Sequence, residues 1–253
     1  MTSDSYEVPT RDGARIHVRV AGTGTPVLLL HGLGTHSGYW MRYIQPFLTK
    51  YRFYMPDFRG SGGSSAVRYP RPDIFAVNAE DAQDVVAHFK LNNFALVGFS
   101  LGASTALHWL KTSGWSRVTR YLHIDQAPCV PHTEDWSYGL FGRLQRPLFA
   151  SIQVMAWALE TVAPFHPALG NRHAWAWSYL HAHDYRSTLA RCSTPVTFFI
   201  GMRSLFYPAK GQLVAAGSVQ NHRVVRFERS GHMLAIFESQ KFREELGRFL
   251  AAD

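Results

Sequence analysis

The segment "ALVGFSLGAS", residues 95–104, places one hydroxyl, Ser100, between two glycines at the end of an apolar run. Gly98-Phe99-Ser100-Leu101-Gly102 fits the pattern G-x-S-x-G, and the helix-compatible "LGASTALHWLKTS" follows directly. That order predicts a sharp strand-to-helix turn that holds a strained, exposed serine at its apex. Side chains at 98 and 102 would collide with the flanking strand and helix, which accounts for both glycines. A helix that begins at Leu101 directs its free amides and dipole at the serine and favours negative charge there. The plainer reading of the same residues is an ordinary glycine turn ahead of a helix.

The flanking sequence supports the strand–turn–helix context. "PVLLLHG" from Pro26, "YRFYMPD" from Tyr51, "FALVGFS" from Phe94, "VTRYLHID" from Val118, "PVTFFIG" from Pro195 and "HRVVRFE" from His222 are short β-type runs. Several are continuously apolar, as strands covered on both faces are. "ARIHVRV", residues 14–20, alternates apolar and polar after the turn signal Asp12-Gly13 and reads as an edge hairpin strand. Helical spacing, as in "VNAEDAQDVVAHFKL" at 77–91, lies between the runs. Strands alternating with helices predict an α/β domain built on a mostly parallel sheet with both faces covered. Residues 128–191 break this rhythm: they contain no obvious core strand, are dense in aromatics, and read as an inserted helical lid. The expected organisation is therefore a core of 1–127 and 192–253 with a cap of 128–191.

Bulk properties narrow the function classes. A chain of 253 residues suits one large domain with an insertion better than two separate cores. Its formal net charge is +8, but the arginines are scattered without a basic run, so no nucleic-acid partner is expected. Weak attraction to anionic substrates or acidic surfaces is compatible with that charge. The N-terminal "MTSDSYEVPTRDGARIHV" is polar and unlike a signal peptide. The longest apolar stretch, 147–165, carries Gln153 and Glu160 and ends near Pro164, which reads as an amphipathic helix rather than a membrane span. A cytoplasmic protein is expected. Cys129 and Cys192 have neither metal-ligand spacing nor disulfide density and read as small buried residues.

Further motifs strengthen the case, and together they resemble the α/β-hydrolase family across nearly the whole chain outside the cap. "LLLHGLG" at 28–34 looks like the family's oxyanion loop, and "MPDFRGSGGSS" at 55–65 like its D-x-R-G-x-G-x-S segment. "SGHMLAIFESQKFREELGRFL" at 230–250 looks like the closing histidine loop and last helix. The resemblance implies an eight-stranded, mostly parallel sheet, a Ser-His-acid triad and no cofactor. Asp57 reads as a brace for the 57–63 turn. Gly60, Gly62 and Gly63 lack the lysine of a phosphate loop and read as that tight turn.

A serine hydroxyl needs a base, and among 13 histidines His232 is the best placed, on a Ser-Gly-His loop after a strand. His31 reads as a hydrogen-bonding brace of the loop beside it. "HAHD" at 181–184 weakly suggests a metal pair, but no other ligands cluster with it, so no metal is expected. The backbone N–H groups of Leu33 and Leu101 are the expected oxyanion donors. The third member departs from the family's usual placement. The residue at the usual acid position, in "GMRSLFYP", is Ser204, with no carboxylate nearby. The family's other arrangement puts the acid at the end of the preceding strand, which here is Asp125 in "YLHIDQAP". Asp125 is preferred, with Glu134, Asp135 and Glu228 as alternatives.

In the cap, Trp136, Phe141, Trp157 and Trp175 are the expected pocket residues, because such sites are largely apolar. The expected activity is hydrolysis of small acyl or aromatic carboxylic esters through an acyl-enzyme, by a monomer or homodimer. A thioesterase, a carbon–carbon bond hydrolase, a perhydrolase or a lyase would use the same parts. A ligand-sensing receptor that retains the triad is the reading from a different class. Because Ser204 has no part in this scheme, Ser204→Ala is expected to leave turnover of a chromogenic ester close to that of the parent.

Overall fold

The computed structural model describes residues 3–71, 73–130 and 183–252. Eight strands form one sheet: β1 (Asp4–Pro9), β2 (Arg15–Gly22), β3 (Thr25–Leu30), β4 (Tyr51–Pro56), β5 (Phe94–Phe99), β6 (Val118–Ile124), β9 (Val196–Gly201) and β10 (His222–Phe227). Their order across the sheet is β1-β2-β4-β3-β5-β6-β9-β10. Only the β1·β2 and β2·β4 pairings are antiparallel, so β2 alone runs against the rest. The edge is β1 rather than the 14–20 run, which pairs on both sides. β1 escaped notice because Val8 is its one fully buried residue, and a strand wet on most positions carries a weak period-two signal.

Alternation along the central strands divides the core between the two faces. Phe94 and Leu96 of β5 face the cluster built with α2 (Ile74–His88), α3 (Leu101–Ser113) and α5 (Ala209–Gly217). Ala95, Val97 and Phe99 face the opposite cluster with α1 (Gly38–Ile44), α6 (Leu234–Phe237) and α7 (Ser239–Ala251). All six β5 residues are buried, which is why its sequence reads as an unbroken apolar run. Fully buried Trp40 and Phe242 hold α1 and α7 on that second face, each worth about 1.5–3 kcal/mol over an exposed position. After β3 the chain crosses to β4 on one side, and after β4 it returns to β5 on the other. The carboxyl ends of β3 and β5 therefore flank a topological switch point, where open α/β sheets form their crevice.

Two short strands, β7 (Cys129–Val130) and β8 (His183–Asp184), pair antiparallel and bring together the two ends of the 131–182 segment. Tyr185 and Leu189, the latter in α4 (Arg186–Ala190), are buried in the same cluster as α3, so the chain is back on the core before Cys192. Both cysteines are buried.

The turn after β4 is held by charge as well as by the buried Phe58. The Arg59 guanidinium is almost fully buried and donates from Nε and Nη2 to the two Asp81 oxygens, both at 2.7 Å. It also donates to Asp12 at 2.8 and 3.0 Å. One side chain thus ties the 57–65 segment to α2 and to the β1–β2 turn. Removing a partner leaves a buried charge uncompensated, so Asp81→Ala should destabilise the fold by about 3–5 kcal/mol in urea unfolding. A loss below 1 kcal/mol would show that the pair contributes no more than an exposed one.

Candidate active site

Ser100 stands at the end of β5 with φ +52° and ψ −118°, a backbone conformation disfavoured for a side chain with a Cβ. Two close backbone approaches impose it. A Cβ on Gly98 would lie 2.6 Å from Cα of Ala103, and one on Gly102 would lie 2.1 Å from the Leu30 carbonyl oxygen. The Ser100 amide donates to the Ile124 carbonyl at 3.0 Å, while its own carbonyl accepts from Ala103 and Ser104 in the first turn of α3. The side chain is consequently lifted out of the sheet into a cleft of about 180 Å³. Leu33, Phe75, Leu101, Gln126, Phe206, Tyr207 and His232 form the rest of its lining.

His232 arrives from the loop after β10. Its Nε2 is 2.9 Å from Ser100 Oγ and its Nδ1 is 2.8 Å from Asp125 Oδ2. The Nδ1–H donates to the carboxylate, which leaves Nε2 free to accept the serine hydroxyl proton. The ring sits among Phe99, Phe206 and Tyr207, with centroids 5.1, 5.1 and 5.5 Å away. Loop placement is backbone-driven: a Cβ on Gly201 would lie 2.3 Å from the Gly231 carbonyl oxygen, so β9 and the histidine loop touch there. Glu238, a residue that the sequence reading passed over, accepts from Ser230 Oγ at 2.6 Å and from the Arg229 amide at 3.1 Å, pinning the loop from behind.

Asp125 terminates β6 at φ +42° and is fully buried. Its Oδ1 accepts from the Gly201 amide and from Gln212 Nε2, both at 2.9 Å, and Oδ2 accepts from Ser204 Oγ at 2.9 Å as well as from His232. Four donors on one carboxylate satisfy a buried charge that would otherwise be costly. Of the alternative acids, Glu228 is exposed after β10, and Glu134 and Asp135 lie outside the described residues. So do the expected pocket residues Trp136, Phe141, Trp157 and Trp175, and His181. His183 pairs instead with Asp73 at 3.3 Å, and no group of three or more potential metal ligands occurs among the described residues.

Ser204 and Gln212 were also missed as partners of the site, and the Ser204 bond to Asp125 removes the premise on which Ser204→Ala was expected to leave turnover unchanged. The signal for Ser204 was present in its position, the fourth residue counting the last glycine of β9, Gly201, as the first, at the family's usual acid site. Gln212, on α5, carries no sequence signal of its own.

Leu33 and Leu101 both line the cleft, and neither amide has a backbone acceptor among the described residues. The Leu33 loop is fixed by its neighbours. His31 Nδ1–H donates to the Gly32 carbonyl at 2.8 Å, His31 Nε2 accepts from the Phe58 amide at 3.0 Å, and Thr35 Oγ1 donates to the Gly32 carbonyl at 2.8 Å. A Cβ on Gly32 would fall 2.8 Å from the Phe99 ring, which shows how closely the loop packs over the serine turn. Asp57 braces the same region by accepting from the Ser37 and Gly63 amides at 2.5 and 2.9 Å. Below Asp125, His123 Nε2–H donates to the Gln126 carbonyl at 2.8 Å, and its Nδ1 accepts from the Tyr121 hydroxyl at 2.9 Å.

The arrangement is a hydroxyl, an imidazole and a carboxylate in one hydrogen-bonded line, next to the Leu101 amide at a helix start and the Leu33 amide in the loop after β3. Such a set can deprotonate the hydroxyl and receive negative charge on an oxygen that the amides reach.

Comparison with known proteins agrees with this architecture. The family described as the alpha/beta hydrolase fold matches residues 25–148. A pimeloyl-[acyl-carrier protein] methyl ester esterase of Nitrosomonas europaea is 24% identical over 87% of this chain and 93% of its own length. The protein of that description from Chromobacterium violaceum is 26% identical over 93% of this chain and 98% of its own. Among solved structures, an esterase from Exiguobacterium antarcticum superposes with a TM-score of 0.82 at 24% identity, covering 98% of this chain and all of that one. A carboxylesterase from Bacillus subtilis gives 0.72 at 21% identity, over 99% and 92%. These similar proteins are ester-cleaving by description, and they support a hydrolase of that kind.

His31 and His123 support a prediction about stability. Burial pushes both imidazoles down to about 4 from an ordinary 6.5. The unfolded chain therefore binds more protons than the folded one between these values, so stability is full above pH 6.5 and lost as pH falls towards 4. Each ring contributes roughly 1.4 kcal/mol per pH unit within that window. The thermal midpoint followed by circular dichroism should fall clearly from pH 7 to pH 5. An unchanged midpoint would mean that these rings are not held neutral.

Proposed function

The chain belongs to the α/β-hydrolase superfamily, and on that premise we propose that it hydrolyses carboxylic esters through an acyl-enzyme. The observation that carries the reading is the single imidazole bonded to both Ser100 Oγ at 2.9 Å and Asp125 Oδ2 at 2.8 Å. Ser100 attacks the ester carbonyl while its proton passes to His232 Nε2. Asp125 fixes the ring tautomer and stabilises the imidazolium. The tetrahedral oxyanion is received by the amides of Leu33 and Leu101 at the start of α3, where the helix dipole adds to the favourable field. His232 then gives its proton to the departing alcohol, and an acyl-Ser100 ester remains. Water, deprotonated by the same ring, attacks that ester, releases the acid and restores the hydroxyl.

The walls support the proposed substrate class. Leu33, Phe75, Leu101, Phe206 and Tyr207 offer apolar and aromatic surface, with Gln126 as a polar neighbour, which suits small acyl or aromatic groups. Esters of small alcohols fit the same reading, since two of the similar proteins are described as methyl ester esterases. The cap expected over 128–191 is kept in this proposal only for the stretch between β7 and β8, because Tyr185 and Leu189 pack in the core, and no helix among the described residues is long and apolar enough to cross a membrane.

The test is steady-state turnover of p-nitrophenyl butyrate. Ser100→Ala should remove turnover, and Asp125→Asn should lower kcat by about 10⁴-fold with the circular dichroism spectrum unchanged. Parent-like rates in Ser100→Ala would refute the acyl-enzyme, and parent-like rates in Asp125→Asn would remove that carboxylate from the reaction.

A further inference from the structure

We infer that Ser204 is a positioning residue for the reaction, acting on His232 through the carboxylate that they share. The inference rests on the reading of Ser100, His232 and Asp125 given above.

Oδ2 of Asp125 accepts two hydrogen bonds, from His232 Nδ1 at 2.8 Å and from Ser204 Oγ at 2.9 Å. The direction of the second is fixed by its neighbours. Ser204 Oγ itself accepts from the Tyr207 amide at 3.3 Å, so the hydroxyl hydrogen is left to point at the carboxylate. Oδ1 is meanwhile occupied by the Gly201 amide and by Gln212 Nε2, which also donates to the Tyr207 carbonyl at 3.1 Å. The carboxylate is thus held on both oxygens and has little freedom to rotate about its Cβ–Cγ bond. Asp125 itself stands at a left-handed backbone position after β6 with its amide donating to the Phe199 carbonyl at 2.9 Å, so the side-chain torsions are what these bonds are left to fix.

The 204–207 turn does a second job. Phe206 and Tyr207 line the cleft and contact the His232 ring, so the same four residues hold the acid from behind and the imidazole from the side. Without the Ser204 hydroxyl, Oδ2 loses a charge-assisted bond, and the Asp125–His232 pair has more than one geometry open to it. The productive alignment with Ser100 is then populated for less of the time, which lowers the rate of the chemical steps and leaves binding in the cleft unaltered.

The experiment compares the parent, Ser204→Ala and Ser204→Thr in full-length protein by two readouts. With p-nitrophenyl butyrate, Ser204→Ala should lower kcat by about 10-fold with KM within twofold, and Ser204→Thr, which keeps the hydroxyl, should stay close to the parent. In the proton NMR spectrum without substrate, the low-field signal of the His232 Nδ1–H should shift or broaden in Ser204→Ala and persist in Ser204→Thr. Parent-like values in both readouts for Ser204→Ala would overturn the inference. So would a loss of rate with the signal unmoved, since that pattern belongs to a disturbed loop rather than to the shared carboxylate. Because the signal needs no turnover, a parent that cleaves no ester while the signal still moves in Ser204→Ala would refute the esterase reading alone.

Discussion

The contact on which the site depends is between backbones: the first turn of α3 lies against the end of β3, with no room at Gly102 for a side chain beside the Leu30 carbonyl. That approach, together with the one at Gly98, forces the chain through a single disfavoured residue, and the residue is a serine. Everything else at the site is arranged around the point so created. The β3 loop passes over it by way of Gly32, the neighbouring strand β6 ends beside it in Asp125, and β10 delivers His232 from the other edge. Strain of about 1–3 kcal/mol at one residue persists because a central strand, a helix and two neighbouring strand ends all determine its position.

The carboxylate follows a comparable logic on the polar side. A fully buried aspartate is tolerable only when its lone pairs are filled, and here they are filled from β9, the turn after it, α5 and the histidine loop. The carboxylate stands at the end of β6, and Ser204, just after the neighbouring strand β9, touches it. Electrostatics elsewhere is likewise local, as in the Arg59 cluster, so the net charge of +8 says little about this site.

The elements whose whole signal lies in one stretch of sequence were legible there. β3, β5 and β9 are largely apolar runs because both faces are covered, and Gly98 and Gly102 announce their own crowding. Asp57 and His31 were readable as braces because their partners lie in neighbouring motifs. β1 was not, since an edge strand with one fully buried residue has almost no hydrophobic pattern. Gln212 and Glu238 were illegible for another reason: a polar residue on a helix or at its cap gains meaning only from what folding sets against it. Ser204 lies between these cases. Its place in the order of strands marked it for attention, but only the distance to Asp125 gives it a role.

The pairing of Cys129 with Asp184 and of Val130 with His183 gives the segment between them a common point of departure and return. The sheet, the serine turn and the histidine loop are all built from residues on either side of that ladder. Closing the chain there is a local matter of four residues, and the strands that carry the site take no share in its entropy. The spacing of Ser100, His232 and Asp125 is set by contacts made outside the stretch that the ladder spans.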